Sequence, residues 1–190
     1  MQVAESFTAF QHPRRIVAGE LTHVAQAVIA ALTLDATRTI LILDDQTGHL
    51  IELDLRHGAE HSVAEYRTRT SPPDPPATRP GRGRPKLGVV AREVTLLPRH
   101  WDWLAGQPGG ASAVLRRLVE EARRTGEGPD RVRRRRDATY RAMSVLAGDL
   151  PGFEEASRAL FADDTARLDG ILGDWPTDIA AYLRRLATQD

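Results

Sequence analysis

The chemistry available to this chain is written mainly in arginine. Of its 26 basic residues only Lys86 is a lysine, and it ends the stretch Arg82-Gly83-Arg84-Pro85-Lys86, with Arg79 just upstream. A second concentration runs Arg131, Arg133, Arg134, Arg135, Arg136. A guanidinium stays charged at any physiological pH, and its fork of donors matches phosphate oxygens. Such groups in clusters suit a polyanion better than a reacting centre. Their placement supports this. The chain is neutral overall, yet residues 1–78 carry net −4, residues 79–136 net +9 and residues 137–190 net −5. A basic middle between acidic ends points to a nucleic-acid contact in the middle. The rival reading is a protein-interaction module. In it the basic middle pairs with an acidic partner or with the chain's own ends, and no nucleic acid is involved.

Other chemistry finds little footing. Without cysteine there are no disulfides, thiolate metal sites or thiol nucleophiles. His57 and His61 have the spacing of a helical metal pair, with Glu60 and Glu65 close by. The surrounding "RHGAEHS" reads poorly as a helix, so no metal is expected. Asp44-Asp45 reads as turn chemistry, and Asp163-Asp164 as a helix break. No phosphate loop, nucleophile elbow or dinucleotide fingerprint is present. The expectation is therefore a protein that is not an enzyme, with no cofactor and no small-molecule substrate. No apolar run approaches the ~20 residues of a membrane span, and no leader pattern opens the chain. A cytoplasmic, nucleoid-associated location follows as an expectation.

The elements that would position these arginines read as an α+β chain in four parts. Residues 1–66 form a sheet-and-helix domain of order ββαββ. "SFTAF" and "RRIVA" are its first strands. The helix places Leu21, Val24, Ala25, Val28, Ile29 and Leu32 on one face. A hairpin follows, with strands at 40–43 and 50–55 around "DDQTG". Residues 57–66 show no period. Residues 67–88 are a Pro/Arg-rich linker with six prolines. Residues 89–126 hold a β-branched strand ended by Pro98, a short helix with Trp101 and Leu104 inward, the break "QPGG", and a helix with Val114, Leu115, Leu118, Val119 and Ala122 inward. "TGEGPD" reads as another break. Residues 127–190 are a helical C-terminal region with turns at "GDLPG", "ADD" and "GDWP".

Arg82-Gly83-Arg84-Pro85-Lys86 resembles an AT-hook. The resemblance implies that Arg82 and Arg84 lie along an A·T-rich minor groove, that Gly83 lets the backbone sit deep, that Pro85 guides the chain out, and that Arg79 and Lys86 neutralise phosphates. The strand-helix-helix segment resembles the ribbon-helix-helix DNA binders. That implies a homodimer whose paired strands enter the major groove, with Arg92 and Thr95 on candidate base-reading faces. Ser112, at the start of the second helix, would hold a phosphate. Arg99, Arg116 and Arg117 would add sequence-blind contacts, as would the run Arg133, Arg134, Arg135, Arg136. Neither strand register is clean: one turns Val94 and Leu96 toward DNA, the other Glu93. Over nearly its entire length the chain is similar to a bacterial family known as domain-of-unknown-function 2239, through "GRPKLGVVAREVTLLPRHWDWLAGQPGGASAVLRRLVEEAR" and "AGDLPGFEEA". That resemblance implies no activity.

Overall fold

A computed structural model describes residues 6–37, 39–71 and 92–188. The chain is α+β, with one small antiparallel sheet and seven α-helices among the described residues. It divides into two compact units. Residues 1–71 and 129–190 make the first, and residues 72–128 the second. Residues 67–70, expected as the start of the linker, are helical instead, and residues 72–88 with the hook lie outside the described residues.

The first unit is built on four strands: β1 (Phe7–Gln11), β2 (Arg14–Gly19), β3 (Leu41–Asp44) and β4 (Leu50–Ile51). Their spatial order is β2-β1-β3-β4, so β1 and β3 lie inside. Side chains alternate across a strand, and here both faces are covered. From β1, Phe7 and Ala9 join Ile42 of β3 in one core, with α1 (Leu21–Leu34) and α2 (Ala59–Thr70). Phe10 of β1 and Leu43 of β3 face the other way, into a second core. That core is completed by Ala142, Met143, Leu146 and Ala147 at the end of α4 (Gly110–Ala147), and by α5 (Phe153–Phe161), α6 (Thr165–Leu172) and α7 (Thr177–Thr188). Burial on both faces explains why "FTAFQ" lacks a polar alternation. The sequence boundaries at 66 and 127 separate the sheet from the C-terminal helices, whereas the structure gives them a common core.

Local chemistry sets the ends of these elements. Asp164 caps α6 by accepting from the Arg167 N–H at 3.0 Å. Glu154 and Glu155 fill the first turn of α5, where the helix dipole favours acid. Gly48 closes the β3–β4 turn at φ +69°, and a Cβ there would lie 2.0 Å from the Ala138 carbonyl oxygen. Only glycine lets this turn approach α4 so closely. The second hairpin strand is shorter than the alternation over 50–55 suggests. After Ile51 the chain leaves the sheet, and residues 55–57 form a 3₁₀ turn capped by the Asp54 side chain. Residues 57–66, which show no period, contain most of α2. Its exposed face is polar all round, and burial is limited to Ala59, Ser62 and Val63.

In the second unit, α3 (Pro98–Ala105) starts with proline at its first turn, where a missing N–H is harmless. Gly109 and Gly110, at φ +89° and +75°, turn the chain into α4 (Gly110–Ala147). The break expected at "TGEGPD" does not occur. The helix runs on through Gly126, Gly128 and Pro129, and the division between units falls just before Pro129. Proline here removes one backbone bond, and long runs of good helix formers on both sides outweigh that loss. The expected inner face is only partly buried. Leu104 and Val114 are buried, but Trp101, Leu118 and Val119 are 41%, 39% and 64% exposed and Ala122 is exposed too. No helix among the described residues is long and apolar enough to cross a membrane.

Candidate nucleic-acid interface

The hook residues Arg79, Arg82, Gly83, Arg84, Pro85 and Lys86 lie outside the described residues. So does the first part of the expected strand 89–97. Its remainder, residues 92–97, pairs with no other strand among the described residues. A single strand with no neighbour has nothing to hold its backbone groups. Arg92, Glu93, Val94, Thr95 and Leu97 are all exposed and Leu96 is half-buried, so neither register of the ribbon is selected.

The helical candidates are better defined. Arg99 sits exposed in the first turn of α3. Ser112 is exposed in the first turn of α4, where backbone N–H groups lack intrahelical partners. Its carbonyl accepts from Arg116 Nε at 3.1 Å, so that guanidinium is drawn toward the helix start. Arg117 and Arg124 are exposed and make no ion pair among the described residues.

The arginine run, on the first-unit part of α4, is divided between two environments. Arg131 and Arg134 are exposed and without an ion-pair partner among the described residues. Arg133 reaches its own helix neighbour Asp130 at 3.0 Å. Arg135 is half-buried and lines a small cavity with Val132, Leu160 and Leu168. Arg136, with a side chain only 25% exposed, reaches Asp163 at 3.4 Å. Five adjacent cations thus do not form one face, because a helix turns each residue by about 100°.

One polar constellation was invisible in the sequence. Asp44 does the turn work, accepting from the Gln46 N–H at 2.7 Å. Asp45, beside it, does something else. It is buried, and its carboxylate accepts from Ser6 Oγ at 2.8 Å, Thr8 Oγ1 at 2.8 Å, Tyr182 Oη at 3.0 Å and Arg185 Nη2 at 2.9 Å. Arg185 also donates to Thr8 Oγ1 at 3.1 Å and lies over the Tyr182 ring, 5.2 Å from its centroid. Burial, and then the negative charge of Asp45, push the Tyr182 hydroxyl well above the usual tyrosine range. The partners come from chain segments up to 177 residues apart. No local pattern could have joined them. Every oxygen of this carboxylate is engaged from within, so the cluster ties the sheet to α7, while Arg185 Nε is buried without a hydrogen-bond partner among the described residues.

His57 and His61 stand with ring centroids 5.4 Å apart, edge to face, and no group of three or more potential metal ligands occurs among the described residues.

The model of the family described as "Uncharacterized protein conserved in bacteria (DUF2239)" matches residues 6–187. The chain belongs to that family. The match covers both units of this DUF2239 chain, including the linker and the basic segment. Neither the curated proteins nor the solved structures contain a match. Residue roles in this DUF2239 protein therefore rest on the arrangement above.

Proposed function

We propose that this protein binds DNA, as a transcriptional regulator or a nucleoid-associated protein. The observation that carries the reading is that, between residues 92 and 134, seven exposed arginines have no counter-ion among the described residues: Arg92, Arg99, Arg116, Arg117, Arg124, Arg131 and Arg134. In a neutral chain, unpaired cations concentrated in one segment favour a polyanion from outside. In this reading Arg82 and Arg84 enter an A·T-rich minor groove and residues 89–97 pair with a second copy to form a major-groove ribbon. The helical arginines and Ser112 hold phosphates.

The test is fluorescence anisotropy of A·T-rich and G·C-rich duplexes over a salt series. DNA binding predicts a steep loss of affinity with salt, and Arg84→Ala reduces the A·T preference more than the total affinity. Non-specific binders still reach roughly micromolar affinity near ~100 mM salt. Absence of binding to either duplex there refutes the proposal. The rival reading, pairing with acidic protein surface, draws support from the contact of Arg136 with Asp163. It predicts no duplex binding at any moderate salt concentration.

A further inference from the structure

The middle of α4 is held by little besides its own backbone. From Leu115 to Asp137 no residue is buried, and the nearest buried positions are Val114 in the second unit and Ala138 in the first. Helices in proteins draw most of their stability from a packed face, so a stretch without one stands on its local propensity. At the centre of this stretch lies Thr125-Gly126-Glu127-Gly128-Pro129-Asp130. Glycine and proline are the two weakest helix formers. Proline also offers no N–H to the Thr125 carbonyl, and its ring crowds that oxygen. The side-chain bonds nearby stay on one side or the other. Arg123 pairs with Glu120 at 3.1 Å, and Thr125 Oγ1 donates to the Glu121 carbonyl at 2.9 Å. Arg133 pairs with Asp130 at 3.0 Å.

The same residues suit a break. A helix that stops at Thr125 has Arg123 and Arg124 in its last turn, where the dipole favours cations, and Gly126 as the left-handed residue that follows. A helix that restarts after Gly128 has a permissive cap, proline at its first position and Asp130 in its first turn. A stretch that was merely weak would lack these stop and start signals. Both the continuous and the broken helix are therefore locally consistent. The division between the two compact units falls at the same place, between Gly128 and Pro129.

We infer that α4 carries a two-state hinge: residues 126–129 open from the continuous helix into a capped break, while the cores on either side stay intact. Opening lets the second unit, with Arg99, Arg116, Arg117 and Arg124, change direction without disturbing the sheet. The hinge does not rest on DNA binding.

The test is amide hydrogen exchange of the full chain, followed residue by residue by NMR without DNA. The break removes the helical acceptors of the Gly128, Asp130 and Arg131 amides. These exchange faster than the amides of residues 118–123 and 133–137 on either side. Gly128→Ala puts a Cβ into open space and removes the permissive cap, so exchange at Asp130 and Arg131 slows about fivefold. Pro129→Ala, at an exposed position, restores the missing N–H and slows it by about 100-fold. Equal exchange across residues 118–137, whether fast or slow, overturns the inference. So does a rate at Asp130 and Arg131 that neither variant changes. Loss of duplex binding with this exchange pattern intact would refute the proposed function alone.

Discussion

Replacing Asp45 separates its two readings, as a turn residue or as the hub of a buried network. Asparagine is well tolerated in turns, so a turn role predicts a change below about 0.5 kcal/mol for Asp45→Asn. The hub predicts far more. The substitution leaves Arg185 without its counter-ion and points an amide N–H₂ at donors that Ser6, Thr8, Tyr182 and Arg185 aim at the carboxylate. Removing one partner of a buried ion pair costs about 3–5 kcal/mol. The Arg185 side chain is 34% exposed, so water recovers part of its solvation. The lower end, about 3 kcal/mol, is the expected loss. Arg185→Met leaves the carboxylate with three hydroxyl donors and costs about 2 kcal/mol. Because the two residues share one interaction, the double variant falls short of the sum by about 1–2 kcal/mol. Urea unfolding measures this cleanly. Trp175 is 6% exposed and donates to the Pro151 carbonyl at 2.8 Å in the first unit. In a Trp101→Phe, Trp103→Phe background it is the only tryptophan reporter. Additive single losses, or an Asp45→Asn loss near zero, would refute the network.

Two further perturbations probe the same unit. Gly48→Ala meets the Ala138 carbonyl oxygen at 2.0 Å and must also hold φ +69°, so unfolding stability falls by more than about 3 kcal/mol. Gly58→Ala, at φ +86° and ψ 162° with nothing within 4 Å, carries backbone strain alone and falls by about 1–3 kcal/mol; equal losses would remove the close approach as the cause. The Tyr182 hydroxyl is raised in the folded state, by burial first and by Asp45 second. A raised group contributes stability that is complete below its unfolded value, near pH ~10, and is lost as pH rises above it. Wild-type stability should fall there with an added slope of up to about 1.4 kcal/mol per pH unit that Tyr182→Phe lacks. Identical alkaline slopes in urea titrations would contradict this.

Periodicity carries local structure well and distant partnership poorly, and particular residues show why. The stripe of Leu21, Val24, Ala25 and Val28 is legible because a helix face repeats within one short segment, and all four are buried. Proline at the start of α3 and the Gly109-Gly110 turn are legible because their backbone limits are intrinsic to the residue. "TGEGPD" misleads for the opposite reason: intrinsic propensity there is weak for helix, yet the flanking runs carry the helix through. α2 hides because its mean character is polar and just Ala59, Ser62 and Val63 turn inward. Asp45 hides most deeply. Its neighbour Asp44 satisfies the turn, so nothing local demands a second role, and Tyr182 and Arg185 lie 137 and 140 residues away.

The arginine run shows how a single compositional signal divides once a helix displays it, and the division can be tested. As a sequence, Arg133 to Arg136 look equivalent. On α4, Arg131 and Arg134 face solvent without ion-pair partners among the described residues, whereas Arg136 is largely covered and reaches Asp163. If DNA is the polyanion, each phosphate contact contributes about 0.9 to the slope of log K against log salt. Arg131→Ala with Arg134→Ala should therefore flatten that slope by up to about 1.8, with little change in unfolding stability. Arg136→Ala should do the reverse. It leaves the slope unchanged and lowers stability by up to about 1 kcal/mol, since the Asp163 side chain is 68% exposed and the pair is well screened. Asp163→Asn should match it in stability. Equal effects of Arg134→Ala and Arg136→Ala on the salt slope would show that the run acts as undivided charge, and that the helix geometry has no part in choosing which arginines meet the partner.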